Sequence, residues 1–174
     1  MHNVTGINAK RRILLFDFIL AIVLLVFDQF TKYLAILRLK GAKPFVIIPN
    51  VLEFDYLENR GSAFGMLQNQ KIFLLCVGFI FVTAICFLLL RIPTEKKFRW
   101  LHLLFTLIVA GGIGNMIDRF RFDYVVDFIS FVLIHFPVFN VADCYIVIGT
   151  FLMFCLFLFY YKDDELDFLS FKRK

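Results

Sequence analysis

Two aspartates in apolar surroundings are the side chains of this sequence best suited to chemistry. Asp127 is flanked by two valines and a phenylalanine, and Asp143 follows an apolar valine–alanine pair. Two close carboxylates in a low-dielectric site tend to share one proton. Such a pair can hydrolyse an amide, because the ionised carboxylate takes a proton from water while the protonated one donates to the developing oxyanion. The sequence alone does not establish that the two side chains meet.

Further polar residues lie near the same ends of apolar segments as these aspartates. A charged side chain inside a membrane is costly unless it is paired or reaches water, so each is a functional candidate. They are Asp28 and Gln29, then Asn59, Arg60 and Gly61, then Asn115, Asp118 and Arg119, and finally Asn140.

Some of these groups also have a purely structural interpretation. Asn115, Asp118 and Arg119 share one helix face and could form an ion pair that holds helix ends together. Asn140 with Asp143 could be a helix N-cap followed by an acidic third residue. Asp17, near the other end of its segment, is expected to reach the inner interface in a structural role.

The composition identifies the elements that must position these residues. The chain has 174 residues, of which 61% are hydrophobic and 19% charged, and its mean hydropathy is +0.82. Soluble domains are about 45–50% apolar and about 25% charged. This excludes an ordinary soluble globule, and it excludes a disordered chain for the same reason. The net charge of +5 is then typical of cytoplasmic anchoring, and no nucleic-acid partner is expected.

Four segments are long and apolar enough to span a bilayer, which takes about 20 residues. They are residues 13–30, 72–92, 100–117 and 139–161. The first is longer than a signal-peptide core and lacks a cleavage site after it, so a retained helix is predicted. The glycines at 111, 112 and 114 in the third segment would permit close helix packing.

The connections predict the orientation. Lysine and arginine are densest in the two tails and in residues 91–99, so both termini should be cytoplasmic. The outer connections are then residues 37–70 and 118–138, and alternation over residues 51–59 predicts a small sheet in the first. The predicted fold is a single all-α membrane domain, residues 1–174, with four transmembrane helices and a small β-sheet and short helix at the outer surface.

No metal or other cofactor is expected. The three histidines are scattered, and the four cysteines form no CxxC pair.

Five blocks in order resemble the lipoprotein signal peptidase family, also called signal peptidase II. They are DQFTK at 28–32, NRGSAFG at 59–65, GNMIDR at 114–119, VVDF at 125–128 and FNVAD at 139–143. The resemblance implies an aspartic endopeptidase of the bacterial cytoplasmic (inner) membrane. Its substrates would be prolipoproteins carrying diacylglycerol on the cysteine just after the cut, held in the lipid bilayer near the outer face.

The resemblance also implies roles for individual residues. Asp127 and Asp143 match the family's catalytic pair. Residues expected to contact substrate or inhibitor are Asn59, Gly61, Asn115, Arg119 and Asn140. Residues expected to be structural or positioning are Asp28, Lys32 and Asp118. The cyclic peptide globomycin is the inhibitor expected from the family, and the departures at Ser62 and Gly112 do not touch the pair.

Two other classes of protein remain as alternatives. A small proton-coupled transporter would use intramembrane aspartates as relays, although transporters usually show repeats and midplane sites. A non-catalytic membrane scaffold would use the polar groups only to pair helices.

Overall fold

The computed structural model describes residues 2–61 and 66–169. Its helices are α1 (His2–Leu39), α2 (Lys71–Arg91), α3 (Arg99–Phe122) and α4 (Val141–Phe159). Its strands are β1 (Phe45–Ile48), β2 (Leu52–Asn59) and β3 (Val125–Phe131). All four helices are long and apolar enough to cross a membrane, so the predicted fold class is confirmed.

Helix α1 is much longer than the apolar segment that revealed it. Its 38 residues span about 57 Å at 1.5 Å per residue, compared with a hydrocarbon core of about 30 Å. The hydropathy pattern marks only residues 13–30, because polar residues within the helix bound this apolar segment, with Lys10, Arg11 and Arg12 before it and Thr31 and Lys32 after it. The helix ends just before Gly41, whose φ of +75° is the left-handed conformation typical of helix ends.

Helix α3 is the central helix, and three of its glycines face three different neighbours. A Cβ on Gly111 would lie 2.4 Å from the Ala142 carbonyl oxygen of α4, and one on Gly112 would lie 2.8 Å from Val82 of α2. A Cβ on Gly114 would lie 2.6 Å from Asp28 Oδ2 of α1. The close packing expected of these glycines is therefore present, and it draws α1, α2 and α4 onto one helix.

The strands form one antiparallel sheet in the order β1-β2-β3. One side of this sheet packs on α1, where Val126 and Phe128 bury Ala35. The small sheet predicted in the connection between α1 and α2 is present there as β1 and β2, and the connection between α3 and α4 supplies the third strand. A single 3₁₀ turn, Val132–Ile134, follows β3 before the chain enters α4.

A β-bulge interrupts the pairing of β2 with β3. Phe54 pairs with Ile129 and Leu57 with Asp127, so two residues of β2 lie opposite Phe128 alone. The bulge shifts the alternation of β2 by one residue. As a result Leu57 and Asn59 share the sheet face of Asp127, whereas Glu58 lies on the other face.

Asp17, for which a structural role is expected, pairs with a histidine of another helix. It is buried, and its Oδ2 lies 2.7 Å from Nδ1 of buried His102 on α3. The two residues are 85 positions apart, so the pairing depends on how α1 packs against α3. A buried polar group requires a partner, and His102 is the partner of Asp17.

Candidate active site

The two candidate catalytic aspartates lie on different elements at the same end of the helix bundle. Asp127 is in the middle of β3 and is 1% exposed, while Asp143 is in the first turn of α4. Asn140 contacts both residues. Its Nδ2 donates to Asp127 Oδ1 at 2.6 Å, and its Oδ1 accepts from the Asp143 backbone N–H at 3.0 Å.

Asn140 also caps α4, as the structural interpretation predicted. The Asp143 side chain completes a capping box by accepting from the Asn140 backbone N–H at 3.1 Å. Its other carboxylate oxygen accepts from Asn115 Nδ2 at 2.7 Å. Capping therefore holds Asp143 at a helix N-terminus, which stabilises a negative charge.

Asp127 accepts a second amide donor from β2. Asn59 Nδ2 donates to Asp127 Oδ2 at 2.8 Å, and Asn59 Oδ1 accepts from the Gly61 backbone N–H at 3.0 Å. This contact exists because the bulge places the Asn59 side chain on the same face of the sheet as Asp127. Each oxygen of Asp127 is thus held by one amide.

The pKa of Asp127 is raised from its usual 3.8 to about 7, first by burial and then by the neighbouring charge of Asp143. The amides of Asn59 and Asn140 and the charge of Lys32 act in the opposite direction. A carboxyl group with such a pKa can hold or release a proton near neutral pH, as a general acid or base must.

Arg119 connects α3 to the segment that leaves β2. One guanidinium nitrogen donates to the Gly61 carbonyl at 2.9 Å, and another approaches the Asn115 carbonyl at 3.4 Å. The remainder of the 59–65 block, residues 62–65, lies outside the described residues.

Lys32 is buried and binds three acceptors. Its Nζ lies 3.0 Å from Asp28 Oδ2, 3.1 Å from Asp118 Oδ2 and 3.0 Å from Asn115 Oδ1. Asp118 therefore pairs with α1, in keeping with the ion pair between helix ends given as its structural interpretation. Gln29, one of the polar candidates of the 28–32 block, donates to Asp118 Oδ1 at 2.8 Å and so joins the site residues.

All ten predicted site residues are joined in one hydrogen-bonded network. They are Asp28, Lys32, Asn59, Gly61, Asn115, Asp118, Arg119, Asp127, Asn140 and Asp143. Within residues 2–61 and 66–169, no three His, Cys, Asp or Glu side chains are grouped to hold a metal ion.

Comparison with known proteins identifies the family. A family model described as signal peptidase (SPase) II matches residues 20–159. The lipoprotein signal peptidase of Clostridium tetani is 38% identical over 151 residues, covering 85% of this chain and 94% of the relative. That of Caldanaerobacter subterraneus is 39% identical over 145 residues, covering 80% of this chain and 97% of the relative.

The fold is also similar to a solved bacterial membrane enzyme, determined by the in meso method at 2.3 Å resolution. The TM-score is 0.72 at 27% identity, and the match covers 91% of this chain and 93% of that one. Sequence and fold thus agree, and they favour a peptidase over a transporter or a scaffold. The chain belongs to the signal peptidase II family, the multi-pass membrane peptidases that remove signal peptides from lipoproteins.

Proposed function

We propose that this protein is an aspartic endopeptidase with Asp127 and Asp143 as its catalytic pair. It would cut diacylglyceryl-modified prolipoproteins just before the lipidated cysteine. The observation that carries this proposal is the carboxyl pair bridged by Asn140, in which Asp127 is buried and its pKa is raised to about 7.

The surroundings of the pair favour different starting states for the two carboxyl groups. Asp143 lies at a helix N-terminus and accepts hydrogen bonds from Asn115 and from the Asn140 backbone N–H, and these contacts favour its ionised form against the effect of burial. Asp127 is the more buried and holds its proton near neutral pH. Asp143 would therefore take a proton from water as that water attacks the scissile carbonyl, and Asp127 would donate to the carbonyl oxygen. As the tetrahedral intermediate collapses, Asp143 passes the proton it gained to the leaving amine, and one of the two hydroxyl groups returns a proton to Asp127. The peptide bond is then hydrolysed and both carboxyl groups are back in their starting states.

The polar residues around the pair would position the substrate. Asn59, Gly61, Asn115, Arg119 and Asn140 would line the path of the substrate backbone, and globomycin would occupy the same site. Since the same groups also hold the pair, substrate binding and orientation of the carboxylates would be coupled.

The location proposed for the protein is the bacterial cytoplasmic membrane, with both termini in the cytoplasm. The basic residues at 10–12 and in the 91–99 connection support this orientation. The carboxyl pair would then lie near the outer face, at the depth where a lipid-anchored substrate presents its cleavage site. Cytoplasmic and periplasmic reporters fused to the C-terminus would test the orientation.

A cleavage assay on a diacylglyceryl-modified prolipoprotein tests the proposal. Asp127→Asn and Asp143→Asn are each expected to reduce turnover at least about 100-fold, the lower range for loss of general acid–base catalysis. Asp123→Asn is the matched control, because Asp123 is an exposed carboxylate just beyond α3 that pairs with Lys71. Globomycin should block cleavage, the unlipidated precursor should be a poor substrate, and a chelator should have no effect.

Two results would contradict the proposal. If either folded Asn variant kept near wild-type turnover, the shared-proton mechanism would be wrong. Equal cleavage of lipidated and unlipidated precursors would show that the enzyme does not require the diacylglyceryl group, and the proposed substrate class would be wrong.

A further inference from the structure

Two backbone hydrogen bonds hold the positions just before the two candidate catalytic aspartates. The N–H of Ala142, which precedes Asp143, donates to Asp28 Oδ1 at 2.9 Å. The N–H of Val126, which precedes Asp127, donates to Asp118 Oδ2 at 3.1 Å. Each aspartate of the pair is thus fixed through its neighbour by a buried carboxylate from a different helix.

One cation joins these two carboxylates. Lys32 Nζ contacts Asp28 Oδ2 at 3.0 Å and Asp118 Oδ2 at 3.1 Å, and all three side chains are buried. Removing one partner of a buried ion pair is strongly destabilising, so Lys32 holds both carboxyl side chains in place. The backbone just before Asp127 and the backbone just before Asp143 therefore both depend on a single ammonium group, that of Lys32.

The third contact of Lys32 sets the orientation of Asn115. Asn115 Oδ1 accepts from Lys32 at 3.0 Å and from Asn140 Nδ2 at 3.2 Å. With its oxygen held by two donors, the amide must turn its NH₂ group toward Asp143, to which it donates at 2.7 Å. Rotation of the amide would place its NH₂ against Lys32, a contact between donors.

From these contacts we infer that Lys32 is a positioning residue of the catalytic pair, fixing the spacing of Asp127 and Asp143 through three separate connections. The inference rests on the proposed function. Lys32 is not a catalytic residue, since it acts through Asp28, Asp118 and Asn115.

Lys32 also adds positive charge to a crowded site. Its charge lowers the pKa of Asp127, against the effects of burial and of Asp143. The other charged or titratable groups that face the site are Asp28 from α1, Asp118 and Arg119 from α3, and Asp143, Cys144 and Tyr145 from α4. Removing Lys32 should therefore move both limbs of the pH–rate profile to higher pH.

The test measures kcat, KM and the pH–rate profile of Lys32→Gln on the lipidated precursor. The expected result is a kcat lower by about 100-fold, the effect of misplacing a catalytic group by about 1 Å. KM should change little, and the profile should move to higher pH. Lys40→Gln is the matched control, because Lys40 forms an exposed ion pair with Glu58 and should leave all three quantities unchanged.

A double variant keeps the test decisive if Lys32→Gln does not fold. Asp28→Asn combined with Lys32→Gln removes one negative and one positive charge, so the net charge of the cluster is unchanged. We expect this variant to have the wild-type pH profile but a low kcat, because Asp118 and Asn115 have still lost their cation.

The inference is overturned by a folded Lys32→Gln variant with wild-type kcat and profile, or by a double variant with wild-type kcat. Asp127→Asn, assayed in parallel, separates this failure from that of the proposed function. If Asp127→Asn is inactive while Lys32→Gln is fully active, only the role of Lys32 is wrong. If Asp127→Asn is active, the proposed function itself fails.

Discussion

Replacing Asp127 with asparagine should stabilise the protein increasingly as the pH rises. Because the folded state raises the pKa of Asp127 from 3.8 to about 7, it binds the proton more tightly than the unfolded chain. The folded protein then loses stability as the pH rises from about 4 to about 7, and the loss is complete above that range. An asparagine does not ionise, so the variant escapes this loss.

The size of the effect follows from the same pKa values. A tenfold difference in proton affinity is worth about 1.4 kcal/mol, so the full difference for Asp127 amounts to about 4 kcal/mol. About 2.5 kcal/mol of this falls between pH values of about 5 and 8. For a protein of this size that corresponds to a shift of about 5–10 °C in melting temperature.

The measurement compares the melting temperatures of wild type and Asp127→Asn in one detergent, at pH values of about 5 and about 8. The new amide also faces two donors, Asn59 and Asn140, which costs about 1–3 kcal/mol at every pH. The informative quantity is therefore the change with pH in the difference between variant and wild type. Asp123→Asn is the control, because Lys71 lowers the pKa of that exposed carboxyl group and the group stays ionised over the whole range.

The reasoning is refuted if the difference between Asp127→Asn and wild type is the same at both pH values. Asp127 would then be ionised throughout the range, and burial would not control its protonation. If Asp127→Asn instead became less stable relative to wild type as the pH rose, the folded protein would stabilise the ionised form of Asp127 and not the neutral form.

Three further variants test the packing and the polar network. Gly114→Ala should lower the melting temperature, because its Cβ would meet Asp28 at 2.6 Å and overpacking costs about 1–3 kcal/mol; an unchanged value would contradict that close approach. Asn140→Ala should cost about 1 kcal/mol through loss of the N-cap and should also reduce kcat, whereas reduced stability with full turnover would restrict Asn140 to capping. His102→Leu should cost about 1–3 kcal/mol by leaving the buried Asp17 side chain without a hydrogen-bond partner, with near-normal turnover of the folded fraction; equal unfolding curves would show that the pair contributes nothing to stability.

The fold was predictable because its main signal is local. Continuous apolar segments identify membrane helices without any knowledge of tertiary contacts. The ends of α1 were harder to predict, because charged residues on both sides of residues 13–30 interrupt the apolar segment within the helix. The sheet was predictable from the alternation in residues 51–59, but its bulge was not. The register depends on β3, which lies about 70 residues away in the chain.

The residues of the candidate site were predictable, but the hydrogen bonds and ion pairs among them were not. Motifs gave the residues, and topology placed them at one end of the bundle. The burial of Lys32 could not be read from its position, because a lysine near the end of an apolar segment is usually an interfacial anchor. Its burial depends on Asp118, a residue of another helix. The pairing of Asp17 with His102 was missed for the same reason.

The bulge in β2 also determines how this gene tolerates small deletions. Loss of a single codon at Asp55 or Tyr56 would leave every motif intact in the translated sequence. It would restore the simple strand alternation, because a single residue of β2 would then lie opposite Phe128. Leu57, Glu58 and Asn59 would keep their partners on β3, so Asn59 would still share the sheet face of Asp127. The extra residue of the bulge can therefore be lost without moving the amide that holds Asp127, and the length of β2 is free to vary by one residue at this point.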